Sequence, residues 1–215
     1  MTRYQRGLYA AAVVSLLASL VDPPFPDQMF LQHIPTVLIL AVWPFLSRRF
    51  PLTDTAVSCL TFFLLLHILG ARYIYSYVPY DRWTEDILSV SITEIFGFRR
   101  NHYDRLVHLS FGLLFVRPIW EIGVRYLSLP RRFAYYFAFD FVLATSMLYE
   151  VFEWGLSLVL AGPDADAYNG QQGDMWDAQK DMALALLGAA TSLAYLYITR
   201  RRRVDVSQRA ASRTS

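Results

Sequence analysis

The chain has 215 residues, of which 55% are apolar and only 18% charged, with a mean hydropathy of +0.29; a soluble domain is usually about one-quarter charged. At roughly 20 apolar residues per membrane span, this composition supplies about six spans. The single Cys59 excludes an intrachain disulfide and any CxxC zinc motif, and 20 basic against 18 acidic residues leave a net charge of +2, too small to favour nucleic acid as a partner.

Six stretches with few charges follow in order. Residues 7–21 are uncharged and end at Asp22-Pro23-Pro24-Phe25-Pro26, which cannot continue a helix. Arg3 and Arg6 ahead of them would also suit a secretory signal, but five more spans follow and no small-x-small cleavage site precedes the prolines, so a signal anchor is expected. Residues 28–47 carry His33, Pro35 and Pro44 and stop at Arg48-Arg49. Residues 55–71 are interrupted only by His67, and residues 106–116 form a weaker fourth stretch before Arg117 and Glu121. The fifth, from 133 to about 160, holds Asp140, Glu150 and Glu153. The sixth, 182–199, lies between Asp181 and Arg200-Arg201-Arg202-Arg203.

Basic residues near the helix ends set topology. With the N-terminus inside, the inner face receives Arg3, Arg6, Arg48, Arg49, Arg117, Arg125, Arg131, Arg132 and the Arg-rich tail, and the outer face receives the acidic 162–180 loop. The expectation is an all-α, six-helix transmembrane domain over 1–199 with both termini inside, and a disordered basic cytoplasmic tail over 200–215. Two outer segments, 73–101 and 162–180, are longer than turns. The apolar run 87–98 is too short to cross, which leaves an interfacial or re-entrant placement. The run 164–170 has the look of a calcium loop but lacks the spacing and the closing Glu.

A charge at the bilayer centre costs at least about 2.5–3.5 kcal/mol, so each ionisable group in a span requires an account. On this topology His67, the pair Asp104/His108, the pair Glu150/Glu153 and the pair Asp177/Asp181 fall at one depth, in the outer halves of four helices. Asp104 and His108 are i, i+4, Glu150 and Glu153 are i, i+3, and Asp177 and Asp181 are i, i+4 with Asp174 one turn earlier. Stacked acids oppose helix formation unless something positive intervenes. Arg99, Arg100, Arg105 and Lys180 are candidates within the chain; a divalent metal or a cationic substrate are candidates outside it. The blander readings are helix N-caps at Asn101-x-x-Asp104 and Asp174-x-x-Asp177, and a cross-helix hydrogen bond for His67. At the inner ends Glu121 stands in the favourable order for an ion pair with Arg125, and Asp140, to which no functional role is assigned by this pairing, is expected to pair with Arg131 or Arg132 across the same inner face of the membrane. There is no Walker loop, GxSxG or HExxH.

The run Arg100-Asn101-His102-Tyr103-Asp104-Arg105-Leu106-Val107-His108 and the run Gln172-Gly173-Asp174-Met175-Trp176-Asp177-Ala178-Gln179-Lys180-Asp181-Met182 resemble the YjdF-type family of uncharacterised bacterial inner-membrane proteins. The similarity extends over roughly 67–190, including His67-Ile68-Leu69-Gly70-Ala71 and Glu150-Val151-Phe152-Glu153-Trp154. Asp104-Arg105-x-x-His108 and Asp177-x-x-x-Asp181 are more distantly similar to the VanZ-like group, in which Lys usually stands where this chain has Arg105. The resemblance implies a multi-pass protein of the bacterial inner membrane and shared motif positions, not a reaction.

Three functions compete. One is an enzyme or binding site at the outer face, in which Asp104, His108, Glu150, Asp177 and Asp181 hold Zn, Mn or Fe. His67 and Glu153 would then act as acid/base groups, and Arg99, Arg100, Asn101 and Arg105 would bind the phosphate of an anionic lipid or lipid-linked envelope precursor. The second is proton-coupled transport with Glu121 and Asp140 as inner stations. The third is a structural or assembly protein whose cluster is a buried ion-pair network.

Overall fold

The computed structural model describes the backbone of residues 1–159 and 172–211, and the side chains of 1–158 and 172–199. Most of the acidic 162–180 loop and the whole 164–170 run therefore lie outside the described residues. Among the described residues the fold is all-helical, with eight helices: α1 Arg3–Ser19, α2 Pro26–Arg49, α3 Asp54–Arg72, α4 Tyr80–Leu88, α5 Ile92–Phe96, α6 Tyr103–Arg125, α7 Arg131–Val159 and α8 Asp177–Ala211. Four of these are long and apolar enough to cross a membrane: Pro26–Arg49, Asp54–Arg72, Tyr103–Arg125 and the Asp177–Thr199 part of α8. Helix α1 has 17 residues, and α7 carries Asp140, Glu150 and Glu153 within its 29. The tail expected to be disordered instead continues α8 as helix to Ala211.

Polar contacts at the helix ends fix the relative directions. Thr2 and Gln5 form a reciprocal capping box at the start of α1, and Gln5 Nε2 also donates to the Leu52 carbonyl at 3.0 Å and to Asp54 at 2.8 Å. At the other end Arg72 of α3 donates to the carbonyls of Ser19, Val21 and Asp22, the orphan acceptors where α1 stops. Helices α1 and α3 therefore run parallel. The Thr53 N–H and hydroxyl, at the start of α3, donate to Glu121 near the end of α6 at 2.8 and 2.6 Å. The Tyr103 hydroxyl, at the start of α6, donates to the Leu66 carbonyl near the end of α3 at 2.9 Å. Helix α6 is therefore antiparallel to α3.

Helices α6 and α8 are parallel and unusually close. A Cβ on Gly112 would stand 2.1 Å from the Ala185 carbonyl oxygen, and one on Gly188 would stand 2.3 Å from that of Leu109. Only glycine on both helices permits this approach. The contact sets the register of the two helices, and one turn before it stand His108 on α6 and Asp181 on α8.

The core divides accordingly. Ala12, Leu40, Leu64 and Ile68 join α1, α2 and α3, while Val116, Trp120, Ala134, Ala138, Val142, Ala189 and Leu196 join α6, α7 and α8. The two three-helix groups meet through α3 and α6. The connection between them packs Tyr75 and Val78 against Tyr103 and Val107. Ile74 and Tyr75 take positive φ values of 44° and 56° there, turning the Tyr75 ring back onto Gly70, where any Cβ would stand 2.7 Å from it.

Helices α4 and α5, of nine and five residues, cannot span a membrane, and their Ile87, Leu88, Ile95 and Phe96 are exposed. Asp81 clasps them together, accepting from Ser91 Oγ at 3.3 Å, from the Thr93 N–H at 2.8 Å and from the Thr93 hydroxyl. Burial alone would raise the Asp81 carboxyl, but the hydrogen bonds from Thr93, Ser91 and Ile92 outweigh it and hold the group below its ordinary range.

The expected pair of Glu121 with Arg125 is present at 2.8 Å. Asp140 is exposed on α7 and, among the described residues, forms no ion pair with Arg131 or Arg132. Eight or nine residues of helix separate them by about 12 Å, beyond side-chain reach.

Candidate functional site

At the end of the bundle where α6 and α8 begin, the register set by Gly112 and Gly188 brings all five expected ligands together. Asp104, His108, Glu150, Asp177 and Asp181 are all buried, although each carries a titratable group. They divide into two sets. Asp177 is neutralised within the chain: Arg100 Nη2 lies 2.6 Å from its Oδ1, and Arg105 Nη2 lies 3.3 Å from the same oxygen. Arg105 also donates to Asp174 at 2.5 Å, and Lys180 Nζ donates to that carboxylate at 2.6 Å. The Lys180 ammonium, with the Trp176 N–H and Arg105, holds the Asp174 carboxyl well below the usual range.

The second set surrounds a single imidazole. His108 Nε2 stands 3.7 Å from Asp104 Oδ1 and 3.5 Å from Glu150 Oε1. One ligand atom from each of Asp104, His108 and Asp181 lies within 4.8 Å of the others, so this buried Asp–His–Asp group could hold a metal ion. Asp181 is 2% exposed, and among the described residues its Oδ1 and the Oε1 of Glu150 have no hydrogen-bond partner. Buried carboxylate oxygens without a donor are costly, and a cation placed between them would remove that cost.

Two openings flank this set. A cleft of about 280 Å³ between α7 and α8 is lined by Glu150, Glu153 and Asp177. A cavity of about 1120 Å³ lies on the other side, walled by α2, α3, α6 and α7, with Asp104, His108, His67 and Tyr75 among its lining residues. Glu153 therefore joins the cleft and His67 the cavity. His67 is bonded locally, its Nδ1 to the Tyr75 hydroxyl and its Nε2 facing the Gln32 carbonyl at 3.3 Å, the cross-helix arrangement that was its blander reading.

The expected substrate-binding residues separate. Arg99 is exposed at the rim, whereas Arg100 and Arg105 are engaged by the carboxylates described above. Asn101 is a structural latch: its side chain donates to the Val78 carbonyl at 2.8 Å and accepts from the Tyr103 N–H at 3.0 Å. Its backbone exchanges two hydrogen bonds with the Gln172 amide at 3.0 and 3.1 Å. The anticipated caps are displaced, since His102 is the N-cap of α6 without a side-chain bond, and the Asp174 side chain accepts from the Trp176 N–H while the Asp177 N–H goes to the Asp174 backbone carbonyl. The His102 ring is stacked on Phe98 at 3.9 Å. Burial, with the Arg105 and Arg100 charges, lowers its basicity against the pull of Asp177 and Asp174.

Tyr75, Ser146 and Tyr149 also line the cavity and were not anticipated. Tyr149 adjoins Glu150 in sequence, and Ser146 precedes Glu150 by one turn, a spacing that would have placed it on the same face. Tyr75 had no such signal, because its position depends on two successive left-handed residues.

Residues 4–202 match a family described as a predicted membrane protein family, DUF2238. The chain is 32% identical over 163 residues to the inner membrane protein YjdF of Escherichia coli (strain K12), a match covering 75% of this chain and 74% of that one. No solved structure matches. Neither match bears on the VanZ-like likeness. With several apolar helices beside these matches, the protein is a multi-pass inner-membrane protein, and the chain belongs to the DUF2238 family of predicted membrane proteins.

Proposed function

We propose that this protein crosses the membrane six times with both termini inside, and that its outer face holds a divalent cation between Asp104, His108 and Asp181. The parallel pairs α1/α3 and α6/α8, with α3 antiparallel to α6, support a chain whose two ends lie on one side. The arginine distribution supports that side being the cytoplasm.

One observation carries the cation reading: three ligand atoms from two helices converge within 4.8 Å of one another, beside carboxylate oxygens of Asp181 and Glu150 that have no donor among the described residues. Mixed carboxylate and imidazole ligation suits Zn, Mn or Fe. A cation there would polarise a phosphate oxygen or lower the pKa of a bound water. Glu153, in the cleft beside Glu150 and Asp177, is the acid/base candidate, and His67 orients the Tyr75 hydroxyl at the cavity end. Asp177 belongs to the arginine network rather than to the ion. Of the rim arginines, exposed Arg99 is the one placed to meet an anionic lipid or lipid-linked precursor.

Metal analysis of purified wild-type protein tests this, with His108→Ala and Asp181→Asn beside it. The expected result is near-stoichiometric metal in wild type and loss in both variants; folded wild-type protein that stays metal-free after incubation with zinc, manganese and iron overturns it. The ion pairs of Arg100, Arg105 and Lys180 with Asp174 and Asp177 favour a second reading, a structural network for that half of the cluster. The apolar residues between the two ends of the bundle, Phe63, Phe111 and Phe115 among them, offer little support to a proton path.

A further inference from the structure

The cavity beside the acid cluster is too large and too apolar for the site alone. Its 1120 Å³ exceeds the range of about 300–1,000 Å³ typical of sites for drug-sized molecules. Its long walls are Leu38, Trp43, Leu60, Phe63, Phe111 and Phe115, and the ionisable groups Asp104, His108 and His67 lie at one end. A void of this kind forfeits the contacts of every side chain that lines it, and water gains few hydrogen bonds there.

The walls belong to different helix groups. Helix α2 packs on α3 and lightly on α1, whereas α7 packs on α6 and α8, so among the described residues the flank between α2 and α7 lacks an extensive contact. Both helices display large apolar side chains on their outer surfaces, including Phe30 and Phe45 on α2 and Phe133 and Leu148 on α7.

We propose that this cavity receives the acyl tails of one membrane glycerophospholipid, entering between α2 and α7, with its head turned toward Asp104, His108 and Asp181. The placement of the head rests on the cation reading above; the placement of the tails does not. At roughly 30 Å³ for a water-sized, and so methylene-sized, unit, the volume holds about 37 units, close to the carbon content of two acyl tails. A long polyprenyl chain overfills it. Ser146 supplies an independent sign of an oxygen-bearing guest. It lines the cavity, is 3% exposed, and its Oγ has no hydrogen-bond partner among the described residues. An ester carbonyl at the head of the tails accepts from that hydroxyl.

The test uses full-length protein in phosphatidylglycerol nanodiscs, exchanged into detergent and weighed by native mass spectrometry. Wild type retains one phosphatidylglycerol per chain. Ser146→Phe and Leu60→Trp, which fill the cavity, each lower the retained fraction about tenfold, while Leu148→Phe on the exposed face of α7 leaves it unchanged. Circular dichroism confirms folding of each variant, and Leu60→Trp carries the test if Ser146→Phe does not fold. Absence of retained lipid in wild type, retention unmoved by both filling variants, or selection of a polyprenyl phosphate when both lipids are offered overturns the proposal. Metal is measured on the same samples. Lipid retained without metal leaves the tail site standing and removes the cation reading, and metal retained without lipid does the reverse.

Discussion

His108 of α6 and Glu150 of α7 stand 3.5 Å apart, and this pair lies between a small cleft that carries acids and a large cavity that is mostly apolar. Glu150 faces the cleft shared with Glu153 and Asp177, and His108 faces the apolar cavity. Asp104 and Asp181 complete a buried set in which three carboxyl groups share one imidazole. Such a set is unfavourable without a counter-charge, which makes its response to neutralisation informative.

Replacing Asp181 with Asn removes one of those carboxyl groups while keeping its shape. In chelator-treated protein the variant is expected to melt a few degrees higher than wild type, reflecting about 1 kcal/mol of relieved repulsion. In the presence of zinc the order reverses, because metal binding weakens at least about tenfold. Thermal unfolding with and without chelator reads both, and a lower midpoint for Asp181→Asn under both conditions identifies the cluster as a purely structural network.

Gly112→Ala places a methyl group 2.1 Å from the Ala185 carbonyl oxygen. The helices must part, at about 1–3 kcal/mol. Because His108 and Asp181 each lie one turn from this contact, metal content falls along with stability. Gly7→Ala is the control, since a Cβ there meets nothing within 4 Å. A Gly112→Ala protein with wild-type midpoint and metal content contradicts the assigned register.

Glu121 is 3% exposed and accepts both the backbone N–H and the hydroxyl of Thr53. Glu121→Gln loses the charge that these donors and Arg125 satisfy, and about 2–4 kcal/mol of stability is expected to go with it. Arg125→Ala costs less, at most about 1 kcal/mol, because its side chain is 47% exposed and solvent screens the pair. Unfolding midpoints in detergent rank the two, and equal losses refute the assignment of the weight to Thr53.

The Asp81 clasp makes the α4–α5 segment sensitive to acid. The folded carboxyl is held below its ordinary value of 3.8, so its contribution is fully present above that pH. It is lost as pH falls below 3.8 and through the folded value. Hydrogen exchange at residues 91–98 is therefore expected to accelerate below about pH 3.8 in wild type. Asp81→Asn, which lacks the titrating group, shows faster exchange at neutral pH and a flatter pH profile. An identical acid response in both proteins removes Asp81 as its source.

Much of the fold was legible because the strongest constraints were local. Asp22-Pro23-Pro24 and Arg48-Arg49 ended helices where expected, and the i, i+4 spacing placed Asp104 with His108 and Asp177 with Asp181 on single faces. The depth argument anticipated that these pairs would share one end of the bundle with Glu150 and Glu153. Spacing on one helix could not reveal which partners the turns of another would supply. Arg100 and Arg105 suit two roles in the sequence, counter-charges for the stacked acids and ligands for a phosphate; the inter-helix register set at Gly112 and Gly188 gives them Asp174 and Asp177, the first of the two. Asn101 was assigned to substrate for the same reason; its contacts with Val78 and Gln172 come from segments 23 and 71 residues away. The Asp140 expectation failed on distance along its own helix, which the 1.5 Å rise could have excluded.

The place of His108 and Glu150 between cleft and cavity has one more consequence. Acids line the space on one side of these two side chains, and mostly apolar residues line the space on the other. A molecule with a polar end and a greasy end meets a matching surface at each of its ends across a single pair of residues.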